Sequence, residues 1–227
     1  MCDDQIFVGL GVEKLRVLVT SGPTREYLDP VRFLTNGSSG KMGAAIAAAL
    51  IEMGFVPVVV SGDVDVEYPA GVEVYFVETT GEMLERCCLI FGSCVGVISA
   101  AAPCDFKPKN FSLQKISKSE SGGNMVVELE QTVDILAALG KIKRADQWSI
   151  GFALETESGK ENALAKLKRK NCDFIVLNSP ESINNDSAEV QVFNAREELI
   201  AKTTGTKINI ARKLIESIKT ATIPVTL

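Results

Sequence analysis

The pattern that does most to limit how this chain can fold is an alternation: short apolar runs of β-forming residues recur, and helical spacing separates many of them. The apolar runs occupy residues 15–20, 55–61, 72–77, 95–100, 125–129, 148–154, 174–177 and 190–193. Helical patterns occupy 42–53, 81–91, 133–141, 160–170 and 207–219. A buried strand followed by a helix that returns the chain to the same edge of a sheet is a βαβ unit, and its strands are parallel. The expectation is an α/β fold: a Rossmann-like doubly wound, mainly parallel sheet with helices on both faces. In such sheets ligands sit beyond the carboxyl ends of the strands, so chemistry is expected in the loops that follow them.

The first of these loops is the richest. Residues 20–43 read TSGPTREYLDPVRFLTNGSSGKMG, and the Ala-rich run AAIAAALIEM follows up to Gly54. The SSGKMG string therefore stands where a helix begins, and free backbone N–H groups, the positive helix end and the Lys41 side chain together suit a phosphate or carboxylate. A Walker A loop needs four residues between Gly and Gly-Lys, then Ser or Thr. Here Gly37 and Gly40 are separated by two, and Met42 follows Lys41. The dinucleotide fingerprint GxGxxG is also absent from this turn. Taken locally, a small-residue turn that lets the helix pack closely on the sheet remains the alternative.

Three other strand ends carry polar groups: 99–102 leading to Asp105, 151–153 leading to Glu155, and Asn178. The periodicity breaks at residues 103–124, a polar, Lys- and Ser-rich stretch ending in Gly-Gly, which reads as a long loop or flap with local positive charge from Lys107, Lys109, Lys115 and Lys118. No internal repeat and no second domain is visible, so residues 1–227 read as one domain with an extension at 1–14.

Composition narrows the chemistry. The chain has no His, which removes Ser-His-Asp and Cys-His catalysis and His metal sites. Six Cys without a CxxC pair read as reduced thiols. A net charge of -5 and the lack of a long basic tract argue against nucleic-acid binding. No apolar run reaches the roughly 20 residues that span a bilayer, and the acidic opening MCDDQIFVGL lacks the positive start of a secretory signal. No membrane partner and a cytoplasmic location are expected.

With these residues in view the chain resembles the phosphopantothenoylcysteine synthetases of coenzyme A biosynthesis, the part often fused behind a flavin-dependent decarboxylase. The most specific match is DPVR-x-x-x-N-x-SSGKMG at residues 29–43. Further matches follow in the family's order: Ala101-Ala102 before Asp105-Phe106, Lys115-Ile116-x-Lys118, Asp134-Ile135-Leu136, Gly151-Phe152-Ala153-x-Glu155-Thr156, and Lys166 and Lys170 before Asp173 and Asn178. The chain departs from the family pattern at Pro23, at Pro103-Cys104, at Thr132-Val133, at Ser117 and at Ala188, which stands two residues beyond Asp186 where an Asn is usual.

The resemblance implies an amide ligase that joins 4'-phosphopantothenate to L-cysteine in two steps, through an acyl-cytidylate. The SSGKMG form is similar to the bacterial branch, which implies CTP, with ATP as the alternative, and Mg2+ carried on the triphosphate. It also implies a homodimer, no flavin in this chain, and a separate decarboxylase for the preceding step. Position by position, Asn36 corresponds to the Asn that holds the acyl intermediate, and Lys115 to a flap Lys that covers the nucleotide and carries the intermediate forward. The nucleotide site implied by the resemblance is Ser99, Ala100, Ala101, Asp105, Lys115, Thr132, Val133, Asp134, Ile135, Phe152, Lys166 and Lys170. Ser38, Gly40, Lys41 and Gly43 face phosphate. Locally each residue has a plainer role: Asn36 before Gly37 suits a turn, Lys115 a solvated surface, and the Lys166 cluster a helix C-terminus. Other classes that suit the sheet are a non-catalytic nucleotide-binding protein and an NAD(P)-dependent oxidoreductase. The latter is disfavoured because none of Tyr27, Tyr68 and Tyr75 has a Lys four residues on.

Overall fold

In the first strand, β1 (Arg16–Ser21), every residue after Arg16 is buried, as expected of a parallel strand covered on both faces. The computed structural model describes residues 15–117, 124–154, 158–178 and 187–222. After β1 come β2 (Arg25–Tyr27), β3 (Phe33–Thr35), α1 (Lys41–Glu52), β4 (Val56–Ser61), β5 (Glu73–Phe76), α2 (Thr80–Phe91) and β6 (Gly96–Ser99). The second half holds β7 (Phe106–Pro108), β8 (Leu129–Gln131), α3 (Ile135–Ile142), β9 (Trp148–Leu154), α4 (Gly159–Arg169), β10 (Phe174–Asn178), β11 (Ser187–Asn194), β12 (Leu199–Thr206) and α5 (Lys207–Thr222).

Eight strands form the central sheet in the order β12-β11-β10-β9-β6-β1-β4-β5. All neighbours are parallel except β11, which runs against both β10 and β12. The chain therefore winds outward from β1 through β4 to β5, then crosses back and winds the other way through β6, β9 and β10. The reversal falls between β1 and β6, and it opens a crevice at their carboxyl ends. Strand alternation divides the core. Val17 and Val19 join Ile46, Leu50, Ile98, Ile210 and Leu214 under α1 and α5, while Leu18 joins Met83, Val97, Leu139 and Leu167 under α2, α3 and α4.

Beyond the expected runs the chain forms the short strands β2, β3 and β7, and the structure differs from the sequence reading on the arm and at the sheet edge. The apolar run at 125–129 is not a core strand: Met125 and Val126 are exposed, and the strand begins at Leu129. It pairs with β7 outside the sheet, so the described residues 106–117 and 124–131 form an arm that carries part of the expected loop or flap. Across this arm Lys107 meets Glu130 at 3.3 Å and Lys109 meets Glu128 at 3.6 Å, so two of the four lysines read as local positive charge are paired with acids. Finally β12 was not anticipated, because LIAKTTGT carries few apolar residues; as an edge strand it alternates between partly covered and exposed positions.

Candidate functional site

The SSGKMG loop lies at the switch point because β1 ends beneath it. Ser21 donates to the Gly40 carbonyl at 3.3 Å, and the Tyr68 hydroxyl donates to Ser21 Oγ at 2.8 Å while also bonding Ser61. Gly40 has φ 73°, a left-handed conformation that favours glycine, and it precedes α1 without a side-chain cap. No acidic residue stands in the first turn, so the positive end of the α1 dipole is not offset by a neighbouring carboxylate and suits an anion. Gly43 has a packing reason as well: a Cβ there would lie 2.1 Å from Ser21 Oγ.

Around this loop opens a cleft of about 950 Å³. It gathers Asn36, Ser38, Gly40, Lys41 and Gly43 from the first crossover with Ser99, Ala100, Ala101 and Asp105 beyond β6. Thr132, Val133, Asp134 and Ile135, Phe152 of β9, and Lys166 and Lys170 complete it. Of the described site residues implied by the resemblance, Lys115 alone is not among the lining; it is exposed. Lys118, Glu155, Thr156, Asp186 and Cys2 lie outside the described residues. The lining also includes Asn178, one of the strand ends marked out in the sequence, and Arg169 and Lys207, to which the sequence reading gave no site role. Lys207 follows β12, so recognising that strand would have exposed it by the same strand-end rule.

The electrostatics oppose the chain's overall charge. Among the described residues, five cations line the cleft (Lys41, Lys166, Arg169, Lys170 and Lys207) against two acids, Asp105 and Asp134. Such a concave positive lining on an acidic protein focuses anionic ligands. Two of the cations also hold the wall together: Lys166 donates to the Phe152 carbonyl at 2.6 Å, and Lys170 pairs with Asp134 at 3.0 Å. Asp134 caps α3 by accepting from the Ala137 N–H at 3.0 Å. Burial pushes its carboxyl upward, but that N–H and Lys170 outweigh it and hold it below the usual carboxylate range.

Asn36 donates through Nδ2 to the carbonyls of Ala102 (3.3 Å) and Pro103 (2.9 Å). Its Oδ1 is thereby directed to serve as an acceptor. The departures from the family pattern fit around it. Pro103 supplies one of those carbonyls, Cys104 donates its N–H to Thr24 at 2.9 Å, and the Thr132 hydroxyl donates to the Cys104 carbonyl. Burial pushes the Cys104 thiol above its ordinary range, so this sulfur stays protonated. Among the described residues no three His, Cys, Asp or Glu side chains are grouped to hold a metal ion, and no helix is long and apolar enough to cross a membrane.

A family model, the DNA/pantothenate metabolism flavoprotein C-terminal domain, matches residues 12–222. A protein of an unknown prokaryotic organism called cysteine/cysteine sulfinic acid decarboxylase is 46% identical over 165 residues, 72% of this chain and 45% of the relative. The coenzyme A biosynthesis bifunctional protein CoaBC of Bacillus subtilis is 41% identical over 168 residues, 74% of this chain and 41% of the relative. This chain thus spans less than half the length of either. Among solved structures, the C-terminal domain of a CoaBC protein superposes with a TM-score of 0.77 at 36% identity, covering 91% of this chain and 95% of that one.

Proposed function

This chain belongs to the DNA/pantothenate metabolism flavoprotein C-terminal domain family, and on that premise we propose that it is a phosphopantothenate–cysteine ligase. The carboxylate of 4'-phosphopantothenate attacks the α-phosphate of CTP, releasing pyrophosphate and leaving an acyl-cytidylate. The amine of L-cysteine then attacks the acyl carbon, and CMP departs. Both steps ask a site to bring anionic groups together and to stabilise charge, which a cleft without His can do. Mg2+ fits as a passenger on the triphosphate, since hydrated Mg2+ characteristically binds through phosphates and no cluster of acids is grouped for a metal among the described residues.

The observation that carries this reading is the cleft itself. Separate chain segments bring an uncapped helix N-terminus, five cations and the Asn36 amide together at one switch point. In this reading the α1 N-terminus, Ser38 and Lys41 take phosphate, while Asp105, Thr132 to Ile135, Phe152, Lys166 and Lys170 surround the nucleotide. Asn36 and Lys115 act on the intermediate. The decarboxylase name of one relative is not carried over, because this chain spans 45% of that protein. Homodimerisation and a cytoplasmic location complete the proposal.

Pyrophosphate release by the purified protein tests it, with 4'-phosphopantothenate, Mg2+ and either CTP or ATP, with and without L-cysteine. Sustained release that needs phosphopantothenate, cysteine and CTP is the expected outcome. Nucleotide binding without release would instead mark a non-catalytic relative.

A further inference from the structure

None of Asp29, Pro30, Val31 and Arg32, the start of the most specific sequence match, lines the cleft. Their hydrogen bonds show another use. The Asp29 side chain is fully buried in the turn between β2 and β3. Its Oδ1 accepts from the backbone N–H of Val31 and of Arg32, each at 2.8 Å, which folds the turn. Its Oδ2 accepts from Arg32 Nη1 at 2.7 Å and from the backbone N–H of Ile116 at 3.2 Å. Arg32 Nη1 also donates to the Ile116 carbonyl at 3.1 Å, and the Ser112 N–H donates to the Leu28 carbonyl at 2.9 Å.

Both backbone polar groups of Ile116 are therefore held by one turn, and Ile116 directly follows Lys115 in the chain. From the same turn β3 leads to Asn36, four residues beyond Arg32. One hairpin thus carries Asn36 into the cleft and clips the segment that bears Lys115. Folding the turn needs only Oδ1. The second carboxylate oxygen is spent on a segment 87 residues away.

We propose that Asp29 is a positioning residue of the ligation: acting through Ile116, it fixes the backbone from which the Lys115 side chain reaches the acyl intermediate. This rests on the reading that Lys115 acts on that intermediate. A lysine has a long flexible stem, so the backbone at its base decides which volume the ammonium searches. Releasing that base spreads the ammonium over many positions, and a displacement of an ångström at a reacting group can cost about 100-fold in rate.

The test compares Asp29→Asn, Lys115→Gln and the double variant in the pyrophosphate assay. Alongside it, hydrogen exchange at the Ile116 amide and trypsin cleavage of the Lys115–Ile116 bond read the clip without reference to activity. Asp29→Asn is expected to speed both by roughly tenfold or more, as loss of a hydrogen bond to a charged group implies. Turnover should fall about 100-fold with little change in KM for CTP. The double variant should be no worse than Lys115→Gln alone, because the two act as one unit. Losses that multiply in the double variant, or an Ile116 amide and bond unchanged by Asp29→Asn, overturn the proposal. If Lys115→Gln keeps full turnover, the assigned role of Lys115 falls, while exchange and cleavage still decide whether the clip exists. Should Asp29→Asn fail to fold, Arg32→Gln is measured instead: it removes the donor to the Ile116 carbonyl at a half-exposed position and leaves the Oδ1 bonds of the turn in place.

Discussion

The two walls around the cleft are built by different means. On the sheet side, Ser99, Ala100 and Phe152 extend from strands whose ladders and packing leave little freedom, and α1 sits so close that Gly43 touches Ser21. On the arm side, β7 and β8 pair only with each other, and Phe111, Leu113, Met125 and Val126 stand exposed. Polar contacts hold that side: two solvent-exposed ion pairs and the Asp29 clip. Core packing places the groups that bind, whereas hydrogen bonds place the arm that carries Lys115. Stability and turnover should accordingly respond to different substitutions.

The largest effect is expected at the residues that act. Asn36→Ala should lower turnover by about 10²–10³-fold, the usual loss on removing one preorganised polar group. CTP affinity by calorimetry should stay within a few-fold, because in the proposed reaction Asn36 meets the intermediate rather than the nucleotide. A parallel collapse in CTP affinity would show that the two walls do not divide the labour in this way.

Gly43→Ala addresses the sheet side. The new Cβ would lie 2.1 Å from Ser21 Oγ and 2.4 Å from its Cβ, so α1 must move off β1. Overpacking of this kind costs about 1–3 kcal/mol, readable as a lower urea midpoint at unchanged slope. The α1 N-terminus moves with the helix, so CTP should bind more weakly too. Thr132→Val lies between the walls. It removes the hydroxyl that donates to the Cys104 carbonyl and should cost about 1 kcal/mol.

Acid separates the walls without mutation. Burial alone would raise the Asp29 carboxyl, but the N–H groups of Val31, Ile116 and Arg32 and the Arg32 guanidinium outweigh it and lower its pKa to about 2. A group whose pKa is depressed on folding stabilises above its ordinary value, so the contribution is complete above about pH 4 and fades as pH falls towards 2. Protection of the Ile116 amide should therefore persist through pH 5 and disappear in that acid window, before the buried amides of β1 exchange. Loss of Ile116 protection near pH 5 or 6 would mean that some other group holds the arm.

The same contrast explains what was legible in the sequence. Val17, Leu18 and Val19 form an apolar run buried on both faces of the sheet, and such runs announce themselves and with them the doubly wound, mainly parallel class of the sheet. The arm does not announce itself, since β7 and β8 are three residues each and their pairing depends on partners across the chain. The link from Asp29 to Ile116 has no local signal at all, because the two matched motifs that it joins lie far apart in sequence. Lys207 was hidden for a different reason: it follows an edge strand too polar to be recognised.

The smallest effect is expected on the arm's ion pairs. Lys107 and Glu130 meet at 3.3 Å with side chains 46% and 47% exposed, where solvent screens the attraction and ordering two long side chains opposes it. Such pairs contribute about 0–1 kcal/mol, so Lys107→Ala should shift the urea midpoint by no more than this, and added salt should erase the difference. Turnover should hold, because the Asp29 clip grips the chain at Ile116, nine residues further along. A loss well above 1 kcal/mol, or one that survives high salt, would mean that the β7 and β8 pairing is built into the folding unit as firmly as the sheet. The distinction between a packed wall that binds and a clipped arm that acts would then fail at its weakest contact.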